Sequence, residues 1–202
     1  MGFTEITFLF VFLPVSIFVY LVVDKVFHKD KLNNIILVVM SFIFYYWANK
    51  EAIIIVIAIG FFIFVAGQMV EKTENGEQNN RIKRKIRFPI IILLGVLVFY
   101  KYISFFASWI NNLANKDLIS IGGLVVPIGL SFIIFESISY IVDIYRGDAQ
   151  PGSLLDCFTF LSLFPKIVSG PIVLWKDFWP QLKNRRSTGD QISTGIDRII
   201  VG

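Results

Sequence analysis

Two residue types that carry much of enzyme chemistry are almost missing from this chain. Its 202 residues include one cysteine, Cys157, and one histidine, His28. A lone cysteine excludes an internal disulfide framework and any multi-cysteine zinc site, and with no other ligand or cofactor motif in the chain, no bound metal or other cofactor is expected. His28 stands in a short basic stretch beside Lys29 and Asp30, where a solvated loop residue is the reading. Also lacking are a phosphate-cradling glycine loop, a zinc-ligand motif and a Gly-x-Ser-x-Gly elbow. No lysine or arginine precedes Asp24-Lys25, and no A-x-A-like site follows the first apolar run, Ile6 to Val23. A cleaved signal peptide needs both, so that run reads as a retained helix.

What is present is apolar surface in long blocks. Hydrophobic residues make up 55% of the chain, phenylalanine alone occurs 21 times, and the mean hydropathy is +0.70. Soluble domains sit nearer about 45–50%. At 1.5 Å rise per residue, blocks at about 4–23, 33–49, 51–70, 88–110 and 127–145 suit membrane-spanning helices. A sixth apolar region, 154–175, is interrupted by Pro165, Gly170 and Pro171, and 192–202 reads as the opening of another helix. Between them, 71–87 (EKTENGEQNNRIKRKIR) and 111–123 read as loops. The expected fold is all-α: one polytopic transmembrane helix bundle with a re-entrant broken helix. The basic run in 71–87 fits contact with anionic lipid better than nucleic acid. Tyr45-Tyr46-Trp47 and Trp175 to Trp179 fit interfacial aromatic belts.

Lysine and arginine alternate along the loops: none before Asp24, several in 24–34, one at Lys50, six in 71–87, and one, Lys116, in 111–126. The positive-inside rule then puts the amino terminus outside and the 24–34 and 71–87 loops in the cytoplasm. A fully spanning 154–175 would carry Lys176, Lys183, Arg185, Arg186 and Arg198 outside, against that rule. A segment that enters and returns resolves the conflict, and proline-broken backbone survives at that depth only when sheltered by protein or a wet cavity.

The helix at 127–145 (PIGLSFIIFESISYIVDIY) has Glu136 near its middle. A charge there costs about 2.5–3.5 kcal/mol on insertion scales, so Glu136 must face protein or water or be protonated. Glu136, Tyr140 and Asp143 fall on one helical face, with Ser131 and Ser139 on a neighbouring stripe. Glu136 either pairs structurally, with Lys101, Lys166 or a backbone donor, or handles substrate or protons. Asp143 and Arg146 suit a helix-end salt bridge or a loop anchor. Lys166 could hold an anionic donor group such as a phosphate, or reach the interface. Cys157 reads as a small buried hydrophobe.

These stretches carry a resemblance. VPIGLSFIIFESISYIVDIYRG (126–147), FLSLFPKIVSGPI (160–172), FTEITFLFVFLP (3–14) and FYYW (44–47) together resemble the amino-terminal part of the membrane-bound O-acyltransferase family, in its alginate-type branch. The combination PIG-x-SF, ESISY-x-x-D-x-YRG and FP-x-x-x-x-GPI is specific, and it runs in order over essentially the whole chain.

The resemblance implies a helix bundle around a funnel in a bacterial inner membrane. An acyl group, here acetyl, would leave a cytoplasmic thioester such as acetyl-CoA and reach an exported polysaccharide or an extracellular partner protein. Ser131, Glu136, Ser139, Tyr140, Asp143, Arg146, Lys166 and Ser169 are then the expected lining of the funnel or donor path. The family's catalytic histidine lies well downstream of the GPI motif, so no catalytic residue is expected in this chain, which on its own should transfer nothing. Where many relatives carry glutamine, this chain has Glu136 and Lys166. Rival readings are a proton-coupled transporter or channel, a scaffold for an extracellular transferase, and D-alanyl transfer to teichoic acid within the same family.

Overall fold

A computed structural model describes residues 6–50, 52–71, 80–114, 127–167, 172–183 and 189–201. All regular structure among them is helical: α1 (Leu13–Phe27), α2 (Asp30–Ala48), α3 (Ala52–Glu71), α4 (Asn80–Ala114), α5 (Leu130–Tyr145), α6 (Leu154–Ser162), α7 (Phe164–Ile167), α8 (Trp175–Lys183) and α9 (Gly189–Val201). A π-helical stretch, Phe8–Phe12, leads into α1. Pro14 explains it: proline cannot donate to the carbonyl four residues back, and its ring crowds that carbonyl. The ladder widens instead, and the Leu13 N–H bonds the Phe8 carbonyl.

Among the described residues, four helices are long and apolar enough to cross a membrane: Phe8–Phe27, Asp30–Ala48, Ile53–Val70 and Lys85–Ala114. The surface agrees with that solvent. Phe18 is 68% exposed and Phe105 64%, while Asn33, Asn34, Ser41, Glu136, Ser137, Asp143 and Lys166 are buried. Apolar outside and polar inside is the reverse of a water-soluble domain. The chain is an all-α, multi-pass membrane bundle.

Helix α4 starts at Asn80, inside the stretch that charge alone reads as loop. Nothing in RIKRKIR breaks a helix, and Arg and Lys favour one. Helix α5 starts at Leu130, three residues after Pro127, because Gly129 takes a left-handed conformation (φ 73°) that glycine adopts without penalty.

Helix α3 lies centrally, against α4, α5 and α6. Its buried face is Val56, Ile59, Ile63, Ala66 and Val70, spaced by three and four residues. Apolar burial drives helices together weakly in lipid, so close backbone approach at small residues matters more. Gly60 and Gly67 provide it. A Cβ on Gly67 would stand 2.5 Å from the Tyr140 hydroxyl oxygen, and one on Gly60 would strike the Phe158 ring.

Region 154–175 does not form one rod. Ser153 and Asp156 make a reciprocal capping box that starts α6: the Asp156 N–H donates to Ser153 Oγ at 3.3 Å, and the Ser153 N–H donates to Asp156 Oδ2 at 3.0 Å. Leu163 then leaves helical geometry (ψ 105°), and α7 lasts four residues. Ser41 Oγ on α2 accepts from the Phe164 N–H at 3.1 Å. The Phe164 ring meets Phe12 edge-on, centroids 5.2 Å apart, in a cluster with Phe8 and Phe44. The break is thus held on both its backbone and its side chain.

Candidate functional site

Helix α5 delivers Glu136 to the interior, and the short α7 delivers Lys166 to meet it. Lys166 Nζ lies 2.9 Å from Glu136 Oε2, with the residues 8% and 4% exposed. Of the two lysines open to Glu136 from sequence, Lys166 is the one used. A backbone N–H, that of Val173, also donates to the carboxylate. Two aromatic rings enclose the ammonium: Phe160 with its centroid at 4.0 Å and Phe178 at 5.0 Å. Cation–π attraction adds to the ion pair in such a dry setting. Desolvation and Coulomb attraction oppose each other for a buried pair, so its net worth is small, yet losing one member leaves a bare charge.

One to two helical turns along, α5 holds the start of α8. The Lys176 N–H donates to Asp143 Oδ2 at 3.0 Å. The Trp175 N–H donates to Ser139 Oγ at 3.3 Å, and Ser139 Oγ donates to Asp143 Oδ2 at 3.2 Å. The first amides of any helix lack partners within it, and a carboxylate complements the positive end of its dipole. Here a neighbouring helix provides the cap.

Tyr140 is wholly buried. Its hydroxyl accepts from the Gly152 N–H at 3.3 Å and lies beside Cys157, which is also buried. Its ring meets Trp175 edge-on at 4.9 Å, and Trp175 meets Phe160 at 5.1 Å. Trp175 also donates through Nε1 to the Gln150 carbonyl at 3.0 Å.

Glu136, Ser139, Tyr140, Asp143 and Lys166 therefore converge on the contact of α5 with the broken segment and α8. Ser131 and Arg146 do not join them. Ser131 is exposed at the first turn of α5, and Arg146 is exposed just beyond its last. Ser169 lies outside the described residues. His28 is exposed at the end of α1, in a left-handed conformation (φ 49°).

The structure adds residues that composition assigns to aromatic belts. Trp175 is core, and so is Tyr45, whose hydroxyl donates to the Ile128 carbonyl at 2.7 Å. Tyr46 and Trp47 remain exposed. The missed signal in α8 was spacing: Trp175, Phe178, Trp179 and Leu182 fall three and four apart, on one face of a helix otherwise made of lysine, aspartate, glutamine and Pro180.

The chain is similar along its whole length to bacterial O-acetylation proteins. It is 31% identical over 206 residues to the "Probable alginate O-acetylase AlgI" of Pseudomonas syringae pv. tomato, covering 100% of this chain and 38% of that protein. The protein of the same name from Pseudomonas fluorescens is 32% identical over 206 residues, with 100% and 37% covered. The "Peptidoglycan O-acetyltransferase" of Helicobacter pylori is 27% identical over 207 residues, covering 89% of this chain and 38% of that protein. The chain thus spans about 40% of the length of these relatives, corresponding to their amino-terminal portion. No family model matches the chain, and no solved structure matches it.

Proposed function

We propose that this chain forms the amino-terminal part of a membrane-bound O-acyltransferase that passes an acetyl group from a cytoplasmic thioester, such as acetyl-CoA, to an exported polysaccharide or an extracellular partner protein. The observation that carries the reading is the similarity over the whole chain to proteins named for alginate O-acetylation. The buried polar assembly on α5 supports it, because a path through lipid needs charges that are sheltered and partnered.

In such a transfer the acceptor oxygen forms an ester bond to the acyl carbon, the thioester C–S bond breaks, and the acceptor proton passes through a base to the departing sulfur. Positioned bases contribute roughly 10²–10⁴-fold. The sole histidine here, His28, is exposed at a helix end far from the α5 assembly in sequence. In this reading the 202 residues supply walls and fixed charges, and the histidine base that the family resemblance implies stands elsewhere in the complete protein. Segment 154–175 re-enters from the cytoplasmic face, the amino terminus lies outside, and the protein resides in the bacterial inner membrane. The acceptor glycan follows the alginate-type relatives, with peptidoglycan the alternative raised by the Helicobacter relative.

The test is acetyl transfer from labelled acetyl-CoA in membranes carrying the complete protein or residues 1–202 alone. Transfer by the first and none by the second is expected. Solute uptake without consumption of acetyl-CoA would overturn the reading in favour of a carrier. Cysteine labelling from each side checks topology, with residues 24–34 and 183–190 expected on the cytoplasmic face.

A further inference from the structure

Two lysines fall in apolar segments, Lys166 buried and Lys101 exposed, and among the described residues only the first has a carboxylate partner. Lys166 has Glu136. Lys101 sits in the apolar stretch Lys85–Ala114, whose 30 residues rise about 45 Å and so outreach a ~30 Å hydrocarbon layer, and it faces the first turn of α5. Among the described residues no carboxylate pairs with Lys101, and its ammonium rests 5.8 Å from the ring of Tyr102. An exposed cation beside such an apolar face suits an anion from outside the chain.

Space for one is present. Lys101, Tyr100 and Ser131 line a cavity of about 400 Å³ where α4 meets the start of α5, with Leu97, Leu130 and Phe132 as its apolar wall. Ser131, which stands apart from the α5 assembly, is exposed here and has a hydroxyl to donate. The exposed face of α4 continues away from the cavity through Leu94, Val98 and Phe105. A ligand suited to this arrangement is an anion carried on hydrocarbon. Its head would meet the ammonium and the hydroxyl, and its chains would lie along α4.

We propose that this cavity binds the phosphate headgroup of an anionic phospholipid, with Lys101 as its counter-charge and Ser131 as a hydrogen-bond donor. The site is separate from the Glu136–Lys166 pair and does not depend on the acyl-transfer reading.

Native mass spectrometry of the purified 202-residue chain tests it, with phosphatidylglycerol, phosphatidylcholine or inorganic phosphate added to the micelles. Phosphatidylglycerol should be retained over phosphatidylcholine by roughly fivefold, as one lysine beside an anionic lipid provides. Lys101→Gln should reduce that preference to what the basic run in 71–87 alone provides, Lys101→Arg should keep it, and Ser131→Ala should weaken it. Lys50→Gln should leave it unchanged, since Lys50 stands over the Tyr46 ring on a different helix end. Lys101 is exposed, so these variants keep the fold, which tryptophan fluorescence checks. Equal retention of both lipids, or an unchanged preference in Lys101→Gln, would overturn the site. Displacement of the lipid by excess inorganic phosphate would overturn the lipid as its occupant.

Discussion

Helices α4 and α5 are adjacent in the chain and in space, yet they solve opposite problems. Helix α4 is 35 residues long and presents Phe88, Ile91, Phe105 and Trp109 outward. Helix α5 has 16 residues, and Ile133, Ile134, Glu136, Ser137, Tyr140, Ile141, Asp143 and Ile144 are all buried. The first needs only to be apolar. The second must match each neighbour in shape and partner each polar group, because lipid offers neither water nor a strong apolar driving force. Substitution should therefore be costly on the α5 side and cheap on the outward α4 side, whatever the chemical size of the change.

The largest effect is expected at the ion pair. Lys166→Met leaves Glu136 uncompensated and should cost about 3–5 kcal/mol, read as thermal unfolding of the chain in detergent. The double variant Glu136→Gln with Lys166→Gln should recover most of that loss, since two amides can bond each other without desolvating a charge. Equal stability of the single and double variants would break the claim that the two residues act as one unit.

Next comes Gly67. Gly67→Val drives a side chain into Tyr140 and should cost about 1–3 kcal/mol. Gly95 on α4 has nothing within 4 Å of where a Cβ would stand. Gly95→Ala should be neutral or stabilising by up to about 1 kcal/mol through helix propensity. The two glycines compared in one assay sharpen the contrast between the helices.

Asp143→Ala removes the acceptor for the Lys176 amide and should cost about 0.5–2 kcal/mol, with Asp143→Asn costing less. Proteolysis within α8 should quicken in the alanine variant. Smallest of all, Phe105→Leu on the outward face should leave the unfolding temperature unchanged.

Class and resemblance were readable from the chain because both rest on local signals: long apolar blocks, turn residues and motif strings. Glu136 stood out because a carboxylate inside an apolar helix is anomalous wherever it points. Its choice of Lys166 over Lys101 was not readable, since the selection depends on a bend at Leu163 held by Ser41 from α2 and by a phenylalanine cluster. Trp175 misled for a related reason. A tryptophan near charged residues resembles an interfacial anchor, and only the aromatic surround of Tyr140 and Phe160 makes it core. The start of α4 at Asn80 was hidden because charge density marks solvent contact and says little about backbone conformation.

Helix α8 begins on amides satisfied by side chains of α5, not by a cap of its own. The two therefore share an origin. A tilt of α5, from whatever cause, would drag the first turn of α8 with it, and with that turn the indole and the ring of Phe178 that leans on the Lys166 ammonium. Motion at one end of the bundle would then be felt electrostatically in its middle, by a linkage made of two hydrogen bonds between backbone and side chain.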